Sequence, residues 1–173
     1  MLTRAITPRR MVLLAALAGG CVIPVGPQFD KPETNYPPYV VTSTPTVGEI
    51  FTPSTAEDGR QITATISDQN LHDNLFIRFL VDYPGTDTSL PHLLLGFEIP
   101  PSGAAERSPV HIQPSCQQPK LAMGPHRLIM VVSDRPFFDA LLGQDVDPEA
   151  PFDSVPEEAN RIRVLWTLNC PGG

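Results

Sequence analysis

The sequence lacks the short motifs that bring catalytic or nucleotide-binding groups together. It contains no G-x-S-x-G turn, no H-E-x-x-H or H-x-H pair, and no glycine-rich phosphate loop. Its four histidines are dispersed, and acidic residues cluster only in the segment 139–158. These absences argue against an enzyme, and we expect no cofactor and no metal centre.

Long apolar runs and extended helical patterns are also missing. The apolar run at residues 11–18 is too short to cross a ~30 Å hydrocarbon core, which needs about 20 apolar residues. No helical periodicity extends beyond two turns. The sequence therefore predicts neither a membrane-spanning helix nor a helical domain.

The short apolar run nevertheless has a recognisable context. It follows Arg4, Arg9 and Arg10 and ends in the segment L-A-G-G-C at residues 17–21. A basic start, a short apolar segment and small residues before a boundary are typical of a secretory signal peptide. Ending in Cys21, the segment resembles the lipobox of bacterial lipoproteins, with Ala18 where leucine is usual.

This resemblance implies that residues 1–20 are removed and that Cys21 carries the lipid. Two or three acyl chains would hold such a protein on its membrane. Val22 follows the cysteine, and not the Asp that some bacteria use for inner-membrane retention, so we expect the outer membrane. The alternative is an ordinary cleaved signal in which Cys21 has no special role.

Processing would change both the charge and the cysteine count. Loss of the three N-terminal arginines moves the formal net charge from −7 to −10, which disfavours nucleic acid as a partner. With Cys21 assigned to lipid, Cys116 and Cys170 remain as a pair in an oxidising compartment. We predict that they form a disulfide, which closes a loop of about 54 residues and stabilises the fold by roughly 4 kcal/mol.

Proline is abundant directly after the predicted anchor, with six prolines in residues 22–45. Prolines this dense favour extended polyproline II over sheet or helix. We therefore predict a stalk over residues 21–45 that reaches about 75 Å at ~3.1 Å per residue. Alternatively, Tyr36 and Tyr39 could dock on a partner.

The remaining residues, 46–173, alternate between short apolar runs and turn signals. This pattern predicts seven strands, at 46–51, 61–67, 75–83, 92–99, 107–112, 126–134 and 160–170. Pro109 places the fifth strand at an edge, and apolar residues on both faces place the sixth in the centre. The pattern is similar to that of immunoglobulin-like or fibronectin-type antiparallel sandwiches, although the cysteine positions differ.

A long connection, residues 135–159, precedes the last strand. Pro136 to Leu142 is a candidate short helix whose apolar face would cover the open end of the sandwich. The acidic residues that follow start like a calcium loop, but Ala150 and Pro156 stand where an EF-hand needs glycine and glutamate. We therefore predict an interaction surface in this loop, formed by Phe137, Phe138, Asp145, Asp147 and Glu149.

Taken together, these features predict a lipid-anchored cell-envelope protein that is a non-enzymatic binding or structural module. Its expected partners are the membrane, through the lipid, and another envelope protein. The alternative is an envelope lipoprotein that binds a small ligand or a metal ion.

Overall fold

The chain is described by a computed structural model over residues 34–53, 61–83, 93–117, 121–139, 144, 146–148 and 151–171. The predicted signal peptide, Cys21, most of the predicted stalk, Asp145 and Glu149 lie outside these ranges. Residues Asn35–Gly173 belong to one compact unit, and the strands and contacts below are all within it.

The described residues are all-β, with eight strands and no helix. The strands are β1 (Tyr39–Thr44), β2 (Ile50–Phe51), β3 (Ile62–Ser67), β4 (Leu75–Val81), β5 (Leu93–Ile99), β6 (Val110–Ile112), β7 (Gly124–Ser133) and β8 (Arg161–Cys170). They form a three-stranded sheet in the order β1-β3-β6 and a five-stranded sheet in the order β2-β8-β7-β4-β5. All neighbours are antiparallel except β2 and β8, which are parallel.

The main core contains side chains from both sheets. Alternation in β3 buries Ile62, Ala64 and Ile66, as the sequence predicts, and alternation in β4 buries its odd-numbered apolar residues. Trp166 of β8 is fully buried in the same cluster and donates its indole N–H to the carbonyl oxygen of Pro45 at 3.0 Å. This bond satisfies the one polar atom of a large apolar side chain.

A second, smaller core lies on the outer face of the five-stranded sheet. Leu80, Tyr83, Ile129 and Val131 are buried there, beneath partly buried side chains that include Phe137 and Phe152. Strand β7 is consequently buried on both faces, and it lies between β8 and β4, which confirms its predicted central position.

The long connection before β8 forms this outer layer, and two predictions about it are wrong. Residues 136–139 are not helical, because the Phe138 amide donates to the distant carbonyl of Ser154 at 2.8 Å instead of to a local turn. The remainder of the expected helix lies outside the described ranges. The described part of the connection covers a sheet face, and not the open end expected from its apolar pairs.

The structured domain also begins earlier than predicted. Strand β1 lies within the range 21–45 that its prolines assigned to the stalk, and it pairs with β3 from Tyr39 opposite Ser67 to Thr44 opposite Thr63. The β-branched run between the prolines favours a strand. An edge position tolerates those prolines, because one side of β1 needs no partner for its N–H groups.

Candidate interaction surfaces

The two cysteines other than the predicted lipidation site Cys21 form a pair. Cys116 and Cys170 lie at disulfide-bonding distance, with Cα atoms 5.7 Å apart. Cys170 ends β8 and is buried, whereas Cys116 lies in the loop after β6 and packs against the main core. The link therefore ties the loop between the two sheets to the end of the five-stranded sheet.

The acidic connection is fastened to the sheet by one buried carboxylate, Asp153. Its Oδ2 accepts a hydrogen bond from Nε of Arg163 at 2.6 Å and is also in contact with Nη2 of that arginine. Its Oδ1 accepts one from the hydroxyl of Tyr83 at 3.1 Å. Arg161 donates to the backbone carbonyl of the same residue. This acid is therefore an internal counter-ion, and not part of a solvated acidic loop.

Burial shapes the titration of the groups around Asp153. It raises the pKa of Tyr83 to about 12, because an ionised phenolate would be desolvated beside the carboxylate. It lowers the pKa of Arg78, whose guanidinium lies 4.5 Å from the ring centroid of Phe137 and donates to the carbonyl of Phe152 at 2.7 Å. Arginine remains charged at any ordinary pH.

The predicted interaction residues are thus divided between different environments. Phe137 is half-buried on the sheet and in contact with Arg78. Phe138 and Asp147 line a groove of about 330 Å³ together with Glu157 and Arg161. Because Asp145 and Glu149 lie outside the described ranges, the structure brings together only part of the predicted set.

A histidine and an aspartate form a close pair at one end of β7. Nδ1 of His126 is 2.6 Å from Oδ2 of Asp82, and its Nε2 is 2.9 Å from the carbonyl oxygen of Ala122. Asp82 adopts a left-handed conformation with φ 49° and also accepts the amide N–H of Arg127 at 2.9 Å. Both ring nitrogens therefore have an acceptor, which only the protonated imidazolium can satisfy in full.

The pKa of His126 reflects these opposing influences. Burial alone would lower it, but the hydrogen bonds to Asp82 and Ala122 and the charge of Asp82 together raise it. Among the described residues, the hydrogen-bonding partners of His126 and Asp82 include no serine and no cysteine. The arrangement links the residue after β4 to the first part of β7.

A buried arginine organises the opposite end of the domain. Nη2 of Arg107 donates to the carbonyls of Asn70 at 3.0 Å and Asp73 at 3.2 Å. The same atom is 4.0 Å from Oδ2 of Asp68, and both side chains are fully buried. Burial raises the pKa of Asp68. The cluster holds the loop from 68 to 73 in place and leaves no accessible charge.

One open groove lies between β5 and β6, at the edge where the two sheets are not joined. It has a volume of about 500 Å³, and its lining is mostly apolar and proline-rich; it includes Leu95, Phe97, Ile99, Pro101 and Val110. Strand β5 is the last strand of its sheet, and no other described strand pairs with its outer edge. The outer edge of such a strand presents peptide groups with which another chain can pair.

A second groove, of about 590 Å³, lies at the opposite edge between β1 and β8. Its lining consists of residues 39–43, Thr46, Val47, Ile162 and Val164, and it contains no charged residue. Sequence patterns could not locate either groove, because alternation identifies the buried face of a strand but not which strands end a sheet.

Comparisons with known proteins do not assign a function to these surfaces. No family model matches the chain, and no curated protein or solved structure matches it either. Within the described ranges, no three histidine, cysteine or acidic side chains converge in a way that could hold a metal ion. The same residues include no helix long and apolar enough to cross a bilayer.

Proposed function

We propose that this chain is a lipid-anchored protein of the bacterial cell envelope that binds another envelope protein without catalysing a reaction. The L-A-G-G-C segment before Val22 supports the anchor, with Cys21 as the lipidated residue. The paired Cys116 and Cys170 fit an exported, oxidising compartment. Outer-membrane attachment is part of the proposal and rests on Val22 alone.

We further propose that the domain is an immunoglobulin-like sandwich. Strands β3, β4, β7 and β8 occupy the places of strands B, C, F and G of that fold, with β1 and β6 beside β3. The disulfide is a departure, since it does not join two inner strands across the core. An experimental structure with a different strand order would overturn this assignment.

The observation that carries the binding role is the outer edge of β5, with which no strand in the described part of the chain pairs. Residues Leu95 to Ile99 pair regularly with β4, so their other side presents peptide groups in a straight row. Another extended polypeptide can bind such a row in place of water, by adding a strand to the sheet. The groove beneath it, with Leu95 exposed, would take the apolar side chains of that strand.

The anchor is tested by replacing Cys21. Wild-type protein should be recovered with the membrane fraction and carry the mass of a diacylglyceryl group on Cys21. Cys21→Ser should abolish that mass and release the protein, whereas Cys116→Ser/Cys170→Ser should leave both unchanged. Unmodified Cys21 in wild-type protein from membranes would refute the anchor.

The partner site is tested by photo-cross-linking in intact cells. A photoreactive residue at Leu95 should give one reproducible protein adduct, and the same residue at the exposed Met123 should not. In a second experiment the photoreactive residue replaces Phe97. Leu95→Lys, a change that discourages strand addition, should then reduce the adduct several-fold. Met123→Lys is the matched control. Adducts from Phe138 but not from Leu95 would move the contact to the acidic loop.

A further inference from the structure

Exposed apolar side chains are concentrated where the N-terminal segment enters the domain. Five of the nine large apolar residues that are exposed in the described ranges lie in residues 35–51: Tyr36, Tyr39, Val41, Val47 and Ile50. Ile50 is the most exposed of these, at 69%. We call these five residues the entry band. Glu49 is the one charged residue of this stretch.

The entry band continues into the groove between β1 and β8. Tyr39, Val41 and Val47 line that groove opposite Ile162 and Val164. Gly48 donates its N–H to the carbonyl of Leu165 at 2.7 Å. This bond places Val47 near Leu165, whose apolar side chain is also exposed. Apart from Glu49, this surface is apolar and uncharged, which is typical of an interaction site.

The edge that carries the entry band is poorly suited to a polypeptide strand. Strand β1 has an irregular register between Val40 and Thr42, and it is flanked by Pro38 and Pro45. Bulges and prolines are the features that protect an edge strand from pairing. The β5 edge, by contrast, is regular from Leu95 to Ile99. The occupant of the entry band should therefore interact with side chains and not with the backbone.

The position of the band in the chain identifies that occupant. The compact unit begins at Asn35, four residues before β1. Only the segment from Val22 to Thr34 therefore separates Cys21 from the domain in the sequence. At ~3.1 Å per residue, the rise of polyproline II, a segment of this length would span about 40 Å. Tyrosine and β-branched residues without charge match the boundary between headgroups and acyl chains.

We infer that the entry band rests on the surface of the bilayer that carries the lipid on Cys21. This inference depends on the proposed anchor, which holds the band at a high local concentration near the lipid. The mature net charge of −10 would oppose contact with anionic headgroups. The contact should therefore favour zwitterionic lipid.

The test attaches the full mature chain, residues 21–173, to phosphatidylcholine vesicles by coupling Cys21 to a maleimide lipid. Cys116 and Cys170 are paired, so Cys21 is the only free thiol. Lipids brominated along the acyl chain quench tryptophan that reaches the membrane. Val47→Trp should lose at least twice as much emission as Met123→Trp, with the wild-type signal of the buried Trp166 subtracted.

Two further measurements make the result decisive. Ile50→Ser with Val41→Ser should restore the emission of Val47→Trp, and replacing a third of the lipid with phosphatidylglycerol should weaken its quenching. Equal quenching at residues 47 and 123, or none at either, would overturn the inference. The chemical attachment makes this outcome independent of the cell: unmodified Cys21 in native membranes refutes the proposed anchor, whereas absent quenching refutes only the membrane contact.

Discussion

The hydroxyl of Tyr83 donates a hydrogen bond to Oδ1 of Asp153 at 3.1 Å, across 70 residues of sequence. Together with Arg163 on β8, this bond fastens the long acidic connection onto the outer face of the five-stranded sheet. A segment expected to be a free interaction loop is thus partly a structural layer.

Asp153→Ala should therefore destabilise the domain by about 2–3 kcal/mol. It removes the carboxylate that accepts from the Tyr83 hydroxyl and the Arg163 guanidinium, and the loss is below the ~3–5 kcal/mol of a fully buried pair because the arginine is partly exposed. Urea unfolding would measure the loss. Glu157→Ala, at an exposed acid of the same connection, should change the free energy of unfolding by no more than about 0.5 kcal/mol.

The pair of His126 and Asp82 should make stability depend on pH. The pKa of His126 is raised in the folded protein, so its stabilising contribution is complete below the unfolded value near 6.5 and is lost as pH rises through the folded value. Comparing urea midpoints at pH 6 and pH 8.5 should show this loss.

Two variants isolate that contribution. His126→Gln should remove the part of the pH dependence that belongs to this histidine. Asp82→Asn should reduce it while keeping the backbone, because asparagine tolerates the left-handed conformation at this position. If wild type and His126→Gln have parallel pH profiles, the pair does not couple protonation to folding.

Loss of the disulfide should cost roughly 4 kcal/mol, because the link closes a loop of 54 residues in the unfolded chain. The Cys116→Ser/Cys170→Ser variant should unfold at a correspondingly lower urea concentration. A thiol assay on the denatured, Cys21-blocked protein provides the control and should detect no further thiol. Two titratable thiols there would contradict the pairing.

Arg107→Lys should destabilise the domain by about 2 kcal/mol although it keeps the charge. The guanidinium donates from Nη2 to the carbonyls of Asn70 and Asp73 and from Nη1 to that of Leu71, and a single ammonium nitrogen cannot occupy both donor positions. Chemical denaturation measures the change. Arg127→Lys, at an exposed position of β7, should have a clearly smaller effect, and equal losses would argue against the bridging role.

Hydrophobic patterns in the sequence predicted those strands whose burial follows from the order of their own residues. Alternation identified the buried faces of β3 and β4, and the continuous apolar run identified β7 as central. Strand β1 was not predicted, because closely spaced prolines indicate an extended stalk. Only its position at the edge of a sheet allows a strand between those prolines, and the sequence does not show that position. The lipid on Cys21 stays a prediction, since it lies outside the described residues.

The candidate surfaces could not be predicted in the same way. Nothing in the order of residues distinguishes Asp153 from the other acids of its connection, because its partners Tyr83 and Arg163 come from separate strands. Phe137 was expected to face a partner, but the sheet beneath it supplies Arg78 as a neighbour. Both outcomes depend on non-local packing.

The connection that covers the outer face of β7 is also the segment that joins β7 to β8. Pairing of the two longest strands, and the cover that Phe137 and Phe152 give to Ile129 and Val131, therefore both come from the stretch between residues 124 and 170, while Leu80 and Tyr83 complete that cover from the side of β4. We expect this stretch to open as one cooperative unit, with slow amide exchange in β7 outlasting that in β1. The outer face of β7 is thus covered in part by chain that is close to it in sequence, whereas its inner face, with Leu128, Met130 and Val132, is buried only when β3 and β4 are in place.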